Sequence, residues 1–231
     1  VHYVAPSVWA WRPHRAEKMA RSVDHVLALL PFEPPYMEAA GMSCDFVGHP
    51  VASIEQYGPA AQQAFRETHE IPLNAPLLCL LPGSRRGEVA RHSSTFLEIA
   101  RRLSEDIPNL RLVLPAAPAV FEMVNVVFSG LENITVLDPD QSGEAEKFSA
   151  FAASDAALAV SGTVSLELAS QDTPMVIAYD AAPVTKMIMK RAFLLDTATL
   201  VNIVSETRAV PEFIFSDFKA RAARSVLKVI Q

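Results

Sequence analysis
Gly83, Ser84 and Arg85 follow an apolar run, Leu77–Leu81, and precede a helical pattern that starts after Gly87. Each residue type has a use in holding an anion. A glycine lets a ligand approach the backbone closely. A serine offers a hydroxyl and an N–H. An arginine offers a planar fork that matches two phosphate oxygens, in a charge-assisted bond worth roughly 1.5–3 kcal/mol. A strand that breaks into a Gly-containing turn and then a helix is a recurrent phosphate cradle. The alternative is an ordinary strand-end turn with solvated arginines, and on residues alone the two readings are evenly matched. The turn is not a Walker loop, because no Lys-Ser/Thr follows Gly87.

A second turn has the same character. In AVSGTVSLELAS, residues 159–170, a strand ends at Val160, Ser161-Gly162-Thr163 turns, and a helix starts at Val164 with Thr163 as the expected N-cap. The helix dipole there favours a negative group. Glu167 is an acid in an otherwise apolar helix, positioned to accept bonds from a ribose diol. Its alternatives are a surface acid helping the dipole, or a capping partner of Thr163. Two anion-ready turns in one array, with a diol-reading acid beside one, point to a nucleotide diphosphate.

Other chemistries lack their residues. There is no GxSxG elbow and no GxGxxG fingerprint. The six histidines are scattered without ligand spacing, so no metal and no cofactor are expected. Asp138 and Asp140 flank Pro139 in what reads as a solvated loop. His49 reads as a satisfied structural histidine. The two cysteines, Cys44 and Cys79, suit a fold without disulfides. A net charge of −6 gives no overall field that favours nucleic acid.

The elements that must position these turns alternate. Short strands are expected at 2–4, 25–30 and 45–47, with helices at 11–22 and 33–40 between them. Further on, strands are expected at 77–81, 110–114, 134–137, 155–160 and 175–179. Helices are expected at 88–103, 144–152, 164–170, 187–195 and 217–230. On the first of these, Phe96, Ile99, Ala100 and Leu103 recur on one face. The fold class is therefore α/β, a Rossmann-like parallel sheet with flanking helices. With 231 residues, 50% of them hydrophobic, the chain has one or two domains, and a composition change near 48–50 marks the boundary.

YVAPSVWAWRPHR, LLPFE, FVGHP, LLPGSRRGEV, SDAALAVSGTVSLELA, PMVIAY and LVNIVSETRAVPEF stand in the order and spacing of the lipid-A-disaccharide synthases. The chain resembles that family over essentially its whole length. The resemblance implies a two-Rossmann-domain (GT-B) inverting glycosyltransferase that moves diacylglucosamine from UDP-2,3-diacylglucosamine to a lipid monosaccharide phosphate and releases UDP. It implies a substrate-binding set of Gly83, Ser84, Arg85, Ser161, Gly162, Thr163, Glu167, Tyr179 and Asn202, with Arg85 stabilising the leaving group. Asp180 departs from the pattern, since many relatives carry a basic residue there.

The resemblance also implies that residues 1–48 are the tail of the acceptor-side domain and 49–231 the UDP-sugar domain. The general base is then expected upstream of Val1, this stretch alone is expected to be inactive, and the family's last segment is expected beyond Gln231. It implies an enzyme peripheral on the cytoplasmic face of the inner membrane, with homo-oligomerisation open. Trp9, Trp11 and residues 186–195 are the candidate interfacial contacts, although residues 186–195 read more readily as a core helix with solvated Lys186, Lys190 and Arg191. The rival readings are a UDP-sugar 2-epimerase of the same architecture and a non-catalytic nucleotide-binding module.

Overall fold
Apolar runs with no polar alternation become strands covered on both faces, and covering both faces of a sheet calls for parallel strands joined by helical crossovers. LLCLL and AALA are such runs, and every residue of both is buried. A computed structural model of the chain describes residues 1–10, 12–180, 197–214 and 219–230. The described residues fall into two compact units.

The first unit holds residues 1–54 and 197–208. Strands β1 (His2–Tyr3), β2 (His25–Ala28) and β3 (Ser43–Phe46) form a parallel sheet in that order, with helices α1 (His14–Ala20) and α2 (Pro34–Glu38) between them. Val8, Ala16, Val26, Ala28, Met37 and Met42 form its core. Glu33 ties two stretches together. One carboxylate oxygen accepts the Leu29 and Leu30 N–H groups at 3.1 and 2.9 Å, and the other accepts the Trp9 indole N–H at 3.2 Å. Burial pushes the Glu33 carboxyl up, against the opposing pull of those bonds. Trp9 is 7% exposed and meets the Phe32 ring edge-on at 5.1 Å. The expectation that Trp9 contacts a membrane is therefore corrected: its indole is committed to the core and to Glu33. Trp11, residues 186–195 and the helix expected at 187–195 lie outside the described residues.

The second unit holds residues 55–180, 209–214 and 219–230. Its helices are α3 (Pro59–Thr68), α4 (Arg86–Asp106), α5 (Phe121–Phe128), α6 (Pro139–Ala153), α7 (Val164–Ser170) and α9 (Lys219–Ile230), while α8 (Leu200–Val204) belongs to the first unit. Strands β4 (Leu77–Leu81), β5 (Arg111–Pro115), β6 (Ile134–Leu137), β7 (Ala156–Ala159), β8 (Met175–Tyr179) and β9 (Glu212–Ile214) form one parallel sheet in the order β6-β5-β4-β7-β8-β9. The chain starts in the middle, builds outwards through β5 and β6, then returns to the other side of β4. The order reverses between β4 and β7, paired from Leu78–Ala156 to Leu81–Ala159. Phe96, Ile99 and Leu103 of α4 pack with Leu78, Leu80, Leu112 and Leu158 in the core.

The break between the units falls after Ile54, past the composition change at 48–50. The reason is local: His49 Nδ1 accepts the Val51 N–H at 3.1 Å and starts a 3₁₀ turn, Pro50–Ser53, that stays with the first unit. Residues 197–208 also cluster with the first unit, whereas the sequence reading carried one domain from 49 to 231.

Candidate functional site
In open parallel sheets the ligand crevice lies outside the carboxyl ends of the strands, where the strand order reverses. In the second unit that point is the pair β4 and β7. Pro82-Gly83-Ser84 leaves β4, and Ser161-Gly162-Thr163 leaves the end of β7. The two turns singled out by their residue types thus come from hydrogen-bonded neighbours. Tyr179 ends β8, the next strand along.

The β4 turn needs its glycine. Gly83 has φ +130°, and a Cβ built there would stand 2.7 Å from Glu88 Cβ and 3.1 Å from Glu88 Oε2. Arg85 is the N-cap of α4, in extended conformation, and its side chain is 83% exposed. Glu88 reaches back to the turn. Its Oε2 accepts the Ser84 N–H at 3.3 Å, and its Oε1 accepts from Arg85 Nη1 at 3.0 Å. In the sequence Glu88 reads only as the first residue of a helix. The available signal was an acid three residues after an N-cap, the spacing at which a side chain satisfies donors that the first helical turn leaves over.

At the β7 turn, Thr163 takes the N-cap position of α7 with helical dihedrals, and its side chain makes no capping bond. The expected Thr163 cap is corrected on that ground: a helical φ/ψ does not aim the hydroxyl at the following N–H groups. Ser165 instead donates its hydroxyl to the Gly162 carbonyl at 2.9 Å. A Cβ built on Gly162 would meet nothing within 4 Å, so that face of the backbone is open.

Glu167 sits in the first turn of α7, where an acid suits the dipole. It also has a partner that spacing did not reveal. Lys147 Nζ of α6 lies 2.8 Å from Glu167 Oε2, and the same ammonium sits 4.7 Å from the Phe148 ring centre. Both ionic side chains are partly buried, which holds the carboxylate in a fixed place.

His92 is one of the six scattered histidines, and its spacing does not single it out. It is 1% exposed on the buried face of α4, three residues after Val89 and four before Phe96. Its Nε2 lies 3.0 Å from both the N–H and the carbonyl oxygen of Asp180, and its ring centre is 5.1 Å from that of Tyr179. Depending on tautomer, it accepts from the one or donates to the other. Burial pushes the imidazole below its ordinary range, against the Asp180 bonds that pull it up. A polar residue on an apolar helical stripe was the signal. His92 fixes the end of β8 where Tyr179 and Asp180 leave the sheet.

Asn202 lies on α8 in the first unit. It is fully buried, and its amide donates to Thr197 Oγ1 at 3.4 Å. Asp138 proves to be the N-cap of α6, accepting the Asp140 N–H at 3.0 Å.

A family model described as lipid-A-disaccharide synthetase matches residues 1–230. The chain is 55% identical to the lipid-A-disaccharide synthase of Ruegeria pomeroyi over 218 residues, covering 92% of this chain and 54% of that protein. It is 37% identical to the Rickettsia prowazekii enzyme of the same name over 228 residues, covering 99% and 58%. The chain thus spans just over half the length of these relatives. Among solved structures it is similar to E. coli ADP-heptose heptosyltransferase II, with TM-score 0.58, 10% identity, and 94% of this chain and 79% of that one covered. It is similar also to Methanocaldococcus jannaschii UDP-GlcNAc 2-epimerase in complex with UDP-GlcNAc and UDP, with TM-score 0.58, 14% identity, and 88% and 54% covered. The fold is the α/β architecture of the GT-B glycosyltransferases. At these identities the structural likeness carries the fold alone.

Proposed function
The chain belongs to the lipid-A-disaccharide synthetase family, and from that premise we propose that its second unit binds the UDP-sugar of a transfer that makes the lipid A disaccharide. The observation that carries this reading is the meeting of two anion-ready turns at the strand-order reversal. The donor is UDP-2,3-diacylglucosamine and the acceptor a lipid monosaccharide phosphate. Arg85 and the Gly83–Ser84 backbone face the diphosphate, the Ser161–Thr163 turn supports the same nucleotide, and Glu167 takes the ribose hydroxyls. As the glycosidic bond breaks, charge grows on the departing UDP. Donors that meet that growing charge stabilise the transition state more than the ground state.

The reading extends to location. Among the described residues no helix is long and apolar enough to cross a membrane. With a lipid donor and a lipid acceptor, the enzyme works as a peripheral protein at the cytoplasmic membrane face. The 2-epimerase alternative shares the fold, but the family match favours the transferase.

Titration calorimetry with UDP, AMP and NAD tests the site. UDP is expected to bind and the other two are not; equal binding of all three would make the second unit a generic nucleotide module. Arg85→Ala is expected to weaken UDP about tenfold, the loss of one charge-assisted phosphate contact less what solvent exposure screens. Arg85→Lys should recover only part, because a point charge cannot reproduce the fork. Unchanged affinity in both variants would remove Arg85 from the site.

Glu167→Gln is expected to lower affinity for UDP about fivefold and for 2′,3′-dideoxy-UDP hardly at all, through the loss of a charged acceptor for the ribose. Equal losses for the two ligands would mean that Glu167 acts only through Lys147 and the helix.

A further inference from the structure
Glu88 already uses the donors that the proposed site needs. Its Oε2 takes the Ser84 N–H at 3.3 Å and its Oε1 takes Arg85 Nη1 at 3.0 Å. The Glu88 side chain is 26% exposed and is packed so closely against Gly83 that a Cβ there would overlap it. The two donors differ in capacity. A guanidinium has five N–H groups, so Arg85 can keep its bond to Glu88 and still meet a second anion. A backbone amide has one hydrogen, so Ser84 N–H can serve the carboxylate or a phosphate oxygen, not both at full strength.

We propose that the Glu88 carboxylate is a built-in competitor for phosphate at the β4 turn, which a nucleoside diphosphate must displace from the Ser84 N–H. The proposal rests on the reading of this turn as a diphosphate site. Its effect is to set affinity. A carboxylate close to the bound diphosphate opposes it by like-charge repulsion, and the displaced carboxylate competes to regain the amide. Both effects favour release of the nucleotide product. Arg85 stays oriented throughout, because its bond to Oε1 does not compete. Glu88 is thus a specificity-determining residue that weighs the charge of the ligand and leaves the uridine untouched.

Calorimetry on the intact protein with UDP and with uridine tests this on Glu88→Gln, which keeps the shape and removes the charge, and on Glu88→Ala, which removes charge and acceptors together. Both variants are expected to bind UDP about three- to tenfold more tightly than the wild type, the scale of one like-charge contact near a protein surface. Uridine affinity should not move, and the gain for UDP should shrink as salt is raised. Circular dichroism matching the wild type shows that the variants are folded. Weaker UDP binding in both variants would overturn the proposal and make Glu88 a buttress of the turn. A parallel change for uridine would overturn it as well, since like-charge repulsion needs a charged ligand. If the wild type itself fails to bind UDP, the diphosphate reading falls and the competitor role falls with it. That outcome is distinct from a wild type that binds while the variants do not tighten.

Discussion
Gly83→Ala is expected to reduce UDP affinity about thirtyfold or more, the largest loss from any single methyl at the site. Two costs add. The backbone at φ +130° is a conformation that an L side chain rarely adopts, and holding a residue in such a region costs roughly 1–3 kcal/mol. The new methyl would also stand 2.7 Å from Glu88 Cβ, a contact that only a shift of the helix start can relieve. Either the turn relaxes and the Ser84 N–H and Arg85 lose their aim, or α4 moves at its first turn. A double-mutant cycle with Glu88→Gly separates the terms. That partner removes the steric overlap and leaves the dihedral strain; because it also removes the competing carboxylate, the reference is Glu88→Gly alone, against which the Gly83→Ala loss is expected to shrink but not vanish. Unchanged UDP binding in Gly83→Ala would show that the β4 turn does not hold the nucleotide.

The turns were legible in the sequence because their signals are local. Leu77–Leu81 reads as a strand to the residue, since an unbroken apolar run closed by Pro-Gly has few other forms. Ile134–Leu137, Met175–Tyr179 and the helix Val164–Ser170 read to the residue too. Helix α6 was read as starting at residue 144 for a visible reason: Gly143, at φ +69°, interrupts it, and only the part beyond the kink has a clear pattern. Helix α3 is not legible because only Phe65 and Arg66 carry its buried side, so PAAQQAFRET reads as a polar connector. Strand β9 has three partly buried residues on the sheet edge, too few for any periodicity.

At the site, the residue types were legible and their partners were not. Nothing in the spacing of Lys147 and Glu167, twenty positions apart on different helices, announces a 2.8 Å ion pair. The same holds for His92, which acts on Asp180 across 88 positions. Glu88 is the intermediate case, local in sequence yet visible as a competitor only once the Ser84 N–H is seen to point at it. The reversal of strand order at β4 and β7 is likewise a property of the whole sheet. Strand-by-strand reading put the two turns at strand ends; the topology made them neighbours.

Arg66→Ala is expected to destabilise the second unit by about 3 kcal/mol, more than a hundredfold in its opening equilibrium. Arg66 lies in the last turn of α3 and is 8% exposed. Its Nη1 donates to the carbonyls of Pro72 and Ala75 at 3.2 and 2.8 Å, and its Nη2 to the Ala153 carbonyl at 2.8 Å and to Asp155 Oδ2 at 3.1 Å. Asp155 Oδ2 in turn accepts the Leu77 N–H at 2.7 Å. One guanidinium therefore joins the end of α3, the approach to β4, the end of α6 and the start of β7. Truncation leaves the Ala75 and Ala153 carbonyls without this donor, each costing about 1–3 kcal/mol if water does not replace it, while the Pro72 carbonyl keeps the Ala75 N–H at 3.0 Å. Asp155 is half exposed, so its share is small. Most of the loss comes from the carbonyls. Arg66→Lys should lose about half as much, because an ammonium keeps the charge but cannot span acceptors on both sides of a planar fork. Native-state hydrogen exchange is the suitable measurement, since it reads the amides of β4 and β7 separately from the first unit. Exchange at Leu78–Leu81 and Ala157–Ala159 should quicken about a hundredfold in Arg66→Ala, with the first-unit strand His25–Ala28 unchanged. A change below about threefold would mean that water satisfies these carbonyls in place of Arg66. The strand ends that carry the two turns would then owe their alignment to the apolar core alone.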